Sequence, residues 1–245
     1  MQYRNIVGFQ DFRRLLGTQP ERLSPTGQRA EEFGQTVDIE AQLAAIESVA
    51  PGVTNLEVHL TAARTIAEGL TSIGLMQGDP AVAVETGAHA LFFPHGIGHM
   101  LGLDVHDMED LGDIIGYPPG KERSSQFGLA YLRLARRLEP GFVITVEPGI
   151  YFIPALIERW RTDGLHREFI AYDRVEAYQG FGGIRIEDNV LITDRGCRVL
   201  GPPIPKSVAE VEGCEQVRVG RVHVPQLKLR RSSVVLSQDR PGEVP

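Results

Sequence analysis

From position 55 the apolar residues Leu56, Leu60, Ala63, Ile66, Ala67, Leu70 and Ile73 recur three and four apart, the period of a helix with one buried face. Asn55 stands where an N-cap belongs, Glu57 falls in the first turn, and Gly74 follows where a C-terminal cap is expected. Upstream, Val37, Leu43, Ala44, Ile46 and Val49 keep mostly helical spacing until Pro51-Gly52 stops it. The pattern predicts two further helices, a short one over 81–90 and another over 125–137 that Pro140-Gly141 ends. Between them FFPHGIGHMLGLDVHD mixes glycine, histidine and apolar residues, which favours short strands and turns. FVITVE and GIYFI then read as β-rich runs around Pro148-Gly149, and IRIEDNVLIT as one more strand entered from Phe181-Gly182-Gly183. Helices precede strands, so the expected class is α+β, an antiparallel sheet covered by helices.

Composition narrows this picture. The 245 residues carry 25 Lys and Arg against 32 Asp and Glu, a net charge of −7, which argues against a nucleic-acid binder working through a basic surface. No apolar run approaches the ~20 residues of a membrane span. Cys197 and Cys214 cannot build a disulfide framework, which fits a cytoplasmic location. The charge is uneven: residues 218–245 are net +4, and a basic tail of this size is expected to be solvated.

Three of the seven histidines, His95, His99 and His106, fall within twelve residues. Gly96 and Gly98 exclude the helical arrangement of a zinc protease motif, whereas on a strand positions 95, 97 and 99 share a face and both imidazoles line one cleft. Glu147 ends an apolar run, where an unpaired carboxylate is expensive to bury. By alternation Gly183, Arg185 and Glu187 share the other face of their strand from Ile184, Ile186 and Asp188. Either segment alone reads as an Arg–Glu pair on a solvated face. With the histidine cluster, metal coordination explains them better, because a cation offsets the cost of gathering carboxylates. Imidazole with carboxylates suits Mn, Co, Zn or Fe(II), and metal-assisted hydrolysis follows without the bond being named.

At FFPHGIGHMLGLDVHDMEDLG, LEPGFVITVEPGIYF and FGGIRIEDNVLIT the sequence closely resembles the Xaa-Pro aminopeptidase and prolidase branch of the pita-bread metallopeptidases, and the resemblance runs from Ala41 to Glu212. It implies the pita-bread fold, a curved antiparallel sheet covered by helices, here incomplete at its start. It also implies a dinuclear site, usually manganese, held by two Asp, one His and two Glu. His99 matches the metal histidine, Glu147 the terminal glutamate that also acts as general base, and Glu187 the bridging glutamate. His95 and His106 match the histidines beside the substrate and its tetrahedral intermediate. Arg185 resembles the arginine supporting the bridging glutamate, and Arg133 one with which prolidases grip a dipeptide's carboxylate. The implied reaction is attack by metal-bound hydroxide on the bond before proline in a di- or oligopeptide.

The two aspartates of the family have no clear counterpart. Asp11 stands near the place of the second but among the wrong neighbours, and Asp38 falls in the predicted helix before Pro51. The expected organisation is therefore a divergent segment at 1–35, a partial catalytic domain at 36–213 and a poorly ordered basic tail at 214–245, as in a truncated or frame-disrupted product. Such a chain is expected to bind one metal ion or none, and an uncovered sheet edge predicts homo-oligomerisation. The alternative reading is an inactive family member or a binding protein. Creatinase-like hydrolysis of an amidino compound stands third.

Overall fold

The computed structural model describes residues 30–213 apart from Val208 and Glu212, so Asp11, Cys214 and the basic tail lie outside the described residues. Helix α1 (Ala30–Ser48) begins earlier than the periodicity predicts and crosses the expected domain boundary at 36. Its buried stripe is Val37, Ala41 and Ala45, continued by Val49 just past the helix end, a strict spacing of four; Leu43, expected on that face, is exposed. Helix α2 (Asn55–Ser72) buries Val58, Ala62, Ala63, Ile66, Ala67 and Leu70 against α1. A Cβ at Gly69 would lie 2.6 Å from a Val37 methyl, so glycine lets the two helices approach.

The cap of α2 is Thr54 rather than Asn55. Its hydroxyl accepts from the Glu57 N–H while Glu57 Oε2 accepts from the Thr54 N–H, a complete capping box. Asn55 is the first helical residue and is buried, donating from Nδ2 to the Leu134 carbonyl at 2.9 Å. The helix predicted over 81–90 is cut in two: α3 (Pro80–Thr86) ends at left-handed Gly87, and a single 3-10 turn follows over Ala88–Leu91.

The helix predicted over 125–137 is absent. One 3-10 turn over Leu129–Tyr131 gives way to extended chain, which reaches the turn before α2 through the Leu138 N–H to Val53 carbonyl bond at 2.8 Å. Leu132 and Leu134 are buried two residues apart with Arg133 outside, so the period here is that of a strand. Helix α4 (Asp113–Gly116) is a single turn, and α5 (Pro154–Asp163) and α6 (Tyr172–Val175) lie between the second and third strands.

Among the described residues all strand pairing is antiparallel. β1 (Val143–Val146) pairs with β4 (Asp188–Thr193), which pairs with β5 (Gly196–Val199); β2 (Gly149–Phe152) pairs separately with β3 (Gly182–Arg185). The strand expected over 184–193 is thus broken at Ile186-Glu187, across from the break at Glu147-Pro148. Pro148 has no N–H to give to a ladder. The stretch 97–101 lies along the other edge of β1, with Glu147 N–H on the Ile97 carbonyl (2.8 Å), Thr145 N–H on His99 (2.9 Å) and Leu101 N–H on Val143 (2.9 Å). Leu103, Val105, Leu111 and Ile114 follow it and are exposed.

Helix α1 reaches this double break with a polar residue. Gln42, fully buried, donates from Nε2 to the carbonyls of Val146 (3.3 Å) and Ile186 (3.0 Å). Gln42→Ala leaves both carbonyls without that donor and opens a cavity, so stability is expected to fall by about 2 kcal/mol. Urea unfolding of wild type and variant checks this, and an unchanged midpoint would remove Gln42 as the link between α1 and the break.

Candidate active site

The site is built on the two breaks. The registers of the β1–β4 and β2–β3 ladders are continuous with each other, and carried across the gap they set Glu147 opposite Glu187. Glu147 is buried, and the 97–101 edge brings His99 against it: Nε2 lies 3.4 Å from Glu147 Oε1. Thr145 links the two, accepting from the His99 N–H at 3.0 Å and donating its hydroxyl to Glu147 Oε1 at 2.9 Å. Arg185 closes the other side, Nη1 to Glu147 Oε2 at 3.3 Å.

Hydrogen bonding sets the imidazole tautomers. His99 Nδ1 lies 3.0 Å from the Met100 carbonyl, which can only accept, so Nδ1 donates there and Nε2 is the ring nitrogen that faces Glu147. Metal-bound histidines use this arrangement, one ring nitrogen held by a carbonyl and the other coordinating. His95 likewise gives Nδ1–H to the Gly96 carbonyl at 2.8 Å, and its buried Nε2 has no hydrogen-bond partner. Its ring stands edge-on to Phe93 and Tyr151. Burial holds its pKa below the usual histidine value against the pull of the Gly96 carbonyl, with Arg185 lowering and Glu147 raising it further. His95 is therefore neutral at neutral pH.

His106 lies over His99 with ring centroids 4.1 Å apart. Its Nδ1 is 3.0 Å from Glu109 Oε2, and the same oxygen accepts from Arg133 Nη1 at 2.6 Å. A cavity of about 190 Å³ opens here, lined by His99, Met100, Glu109, Arg123, Tyr131 and Arg133 among others. Arg133 thus sits in the cleft, on extended chain rather than on the helix first expected for it.

His95, His99, His106, Glu147 and Arg185 form one neighbourhood, and Arg133 joins it through Glu109. Glu187 is half-buried between β3 and β4. Among the described residues no three His, Cys, Asp or Glu side chains converge closely enough to hold a metal ion. An imidazole and the carboxylates at the facing positions Glu147 and Glu187 are the right kinds of donor for a divalent cation, and as a set they fall short of full coordination. Sequence reasoning missed Thr145 and Glu109, although Thr145 is two residues from Glu147 on one face of a strand and Glu109 three residues past His106. Asp38 was set aside as merely helical; it is fully buried in α1, where burial raises its pKa well above the usual carboxylate range and the Ile186 backbone and Arg185 pull it partly back.

Residues 28–194 match the family model described as metallopeptidase family M24. The chain is 43% identical over 169 residues to the Xaa-Pro dipeptidase of Rattus norvegicus, covering 69% of this chain and 33% of that protein. It is 41% identical over 169 residues to the Xaa-Pro dipeptidase of Xanthomonas axonopodis pv. citri, covering 67% of this chain and 36% of that one. Among solved structures, Pseudomonas aeruginosa aminopeptidase PepP matches with a TM-score of 0.56 at 32% identity, over 82% of this chain and 37% of that chain. Escherichia coli aminopeptidase P carrying Glu383Ala, in complex with substrate, matches with a TM-score of 0.57 at 29% identity, over 79% and 36%. The chain spans about a third of the length of the curated relatives it matches. The α+β, pita-bread expectation agrees with these neighbours. With the family model covering most of its length and the histidine and glutamate segments inside the match, the chain belongs to metallopeptidase family M24.

Proposed function

We propose that this chain carries the catalytic cleft of a metal-dependent peptidase that hydrolyses the bond before proline, as the names of its dipeptidase relatives suggest. The observation that carries the reading is the His99–Thr145–Glu147–Arg185 network around the buried Glu147 carboxylate, which His99 Nε2 faces. His99, Glu147 and Glu187 are the residues that would hold a divalent cation, for which manganese is our assignment. Such a cation supplies Lewis-acid polarisation of the scissile carbonyl and lowers the pKa of water.

The chain's own groups do the rest. Glu147, desolvated and hydrogen-bonded through Oε1, accepts a proton from the attacking water. Arg185 keeps Glu147 oriented and offsets its charge. Neutral His95 keeps a buried, unpartnered Nε2 behind this network, and His106 lies against His99 and Glu109, both of which line the cavity. A dedicated cleft makes sense for this bond because proline supplies no N–H and holds its own φ fixed. A di- or oligopeptide with proline after the scissile bond is the substrate class.

Isothermal titration with manganese(II) and assay of Gly-Pro hydrolysis test this. His99→Ala is expected to weaken metal binding by on the order of 100-fold, since it removes the imidazole that faces Glu147. Failure of the chain to bind manganese or cleave Gly-Pro at any metal concentration would overturn the reading in favour of a peptide-binding relative.

A further inference from the structure

The stretch that follows the 97–101 edge turns a row of large apolar side chains to solvent. Leu103, Val105, Met108, Leu111 and Ile114 are all exposed, Val105 to 69% and Ile114 to 82%. Apolar residues scattered singly over a surface are ordinary, whereas five within twelve positions mark an interaction surface. The stretch is also acidic: residues 101–116 carry Asp104, Asp107, Glu109, Asp110 and Asp113 and no Lys or Arg. Arg133 and His106 match Glu109, and Arg123 matches Asp113. Asp104, Asp107 and Asp110 have no ion-pair partner among the described residues.

We propose that this acidic, apolar surface is the docking site of the chain's own residues 217–231, which lie outside the described residues. Their sequence is its complement. Val217, Val219, Val222, Val224, Leu227 and Leu229 are interleaved with Arg218, Arg221, Lys228, Arg230 and Arg231, and no Asp or Glu falls among them. Burial of the apolar side chains of both segments supplies the affinity, and basic residues meeting the three unmatched acids supply the selectivity. The chain leaves the described fold within reach of the surface. Lys206 pairs with Asp188, which stands opposite Val146 in the β1–β4 ladder. On the other edge of β1 the Leu101 N–H meets the Val143 carbonyl. Two strand spacings and three residues of rise put Asp188 about 14 Å from Leu101. Eleven residues lead from Lys206 to Val217. Even with the turn that the Val211 N–H to Ser207 carbonyl bond closes, that length spans about 25 Å. A second copy carries the same basic segment, but the chain's own is tethered, at an effective concentration on the order of millimolar. The docked segment lies along one wall of the cleft, since Asp107, Met108 and Glu109 also line the cavity.

Hydrogen–deuterium exchange of the full chain, read by mass spectrometry without added metal or peptide, tests this. Amides over 217–231 are expected to exchange about tenfold more slowly in wild type than in Asp104→Lys/Asp110→Lys, which reverses two exposed acids. Arg221→Glu/Arg230→Glu is expected to lose the same protection. The two pairs of reversals combined are expected to recover it, which a general loss of fold would not produce. The variant in the basic segment keeps the comparison decisive if the one in the acidic stretch does not fold. Exchange over 217–231 at the rate of a free peptide in wild type would overturn the inference. So would protection that neither pair of reversals changes, or protection that grows with protein concentration, as a second copy's segment on the surface would give.

Discussion

Between pH 7 and pH 4 the folded chain is expected to lose on the order of 5 kcal/mol through two histidines alone, enough to unfold a domain of ordinary stability. His59 and His89 are completely buried. Burial holds His59 at a pKa of about 3, with the nearby His89 and His95 adding to the effect. Burial also holds His89 at about 4, against the opposing pull of the Ala83 backbone. In the unfolded chain both return to about 6.5. Between 6.5 and the folded values the unfolded state binds the extra protons, so stability falls as pH falls, at about 1.4 kcal/mol per pH unit for each ring.

Asp38 works in the opposite sense. Its folded pKa is raised, so its contribution is complete below the unfolded carboxylate value and is lost as pH rises through the folded value. Acid therefore relieves Asp38 while it penalises the histidines, and the two rings outweigh the one carboxyl. Urea midpoints at pH 7, 5.5 and 4 measure the slope. His59→Phe, which keeps the stacking on Phe93, is expected to remove about half of it. A slope identical to wild type would show that His59 does not stay neutral in the fold.

Gly98→Ala is expected to damage both the fold and the site with a single methyl. A Cβ there would lie 2.0 Å from the Thr145 carbonyl oxygen and 2.7 Å from its hydroxyl. Thr145 takes the His99 N–H and gives to Glu147, so the clash falls on the residue that joins the two main donors. Backbone cannot swing aside as a long side chain can. The 97–101 edge must therefore lift from β1, at an expected cost of about 3 kcal/mol and a loss of manganese affinity on the order of 100-fold as His99 moves away. Gly52→Ala is the control: its φ is +88° but nothing lies within 4 Å of the added methyl, so only the backbone cost of about 1 kcal/mol is expected. Equal midpoints and equal metal affinities for Gly98→Ala and wild type would dispose of the close approach.

Much of the site was legible along the chain because its donors sit in short contiguous runs. His95, His99 and His106 fall in one glycine-rich stretch, and Glu147, Arg185 and Glu187 in two apolar ones. Alternation alone put Ile184, Ile186 and Asp188 on one face, and of these Ile186 and Asp188 are buried and Ile184 half-buried. Helix α2 was legible for the same reason, since its partners are three and four residues away. The cap slipped by one residue because Thr54 and Asn55 are both cap formers, and only the Glu57 contact distinguishes them. The segment over 125–137 was misread because its leucines satisfy more than one spacing. Burial of Leu132 and Leu134 with Arg133 outside decides for extended chain.

By itself the sequence determined the α+β class, the strong helix α2, the family segments and the residue types that make divalent-metal chemistry reasonable. These depend on local period and on neighbours within a few positions. Only the tertiary structure decided what separates and what meets. Periodicity continues unbroken through 184–193, yet the strand divides at Ile186-Glu187 because its two halves pair with different strands, β4 with β1 and β3 with β2. Gln42 spans that division, and Glu109 takes Arg133 from 24 residues away. Hydrogen bonds and ion pairs between such distant positions carry no periodic signature. They exist because packing removes water from polar groups that must then find one another.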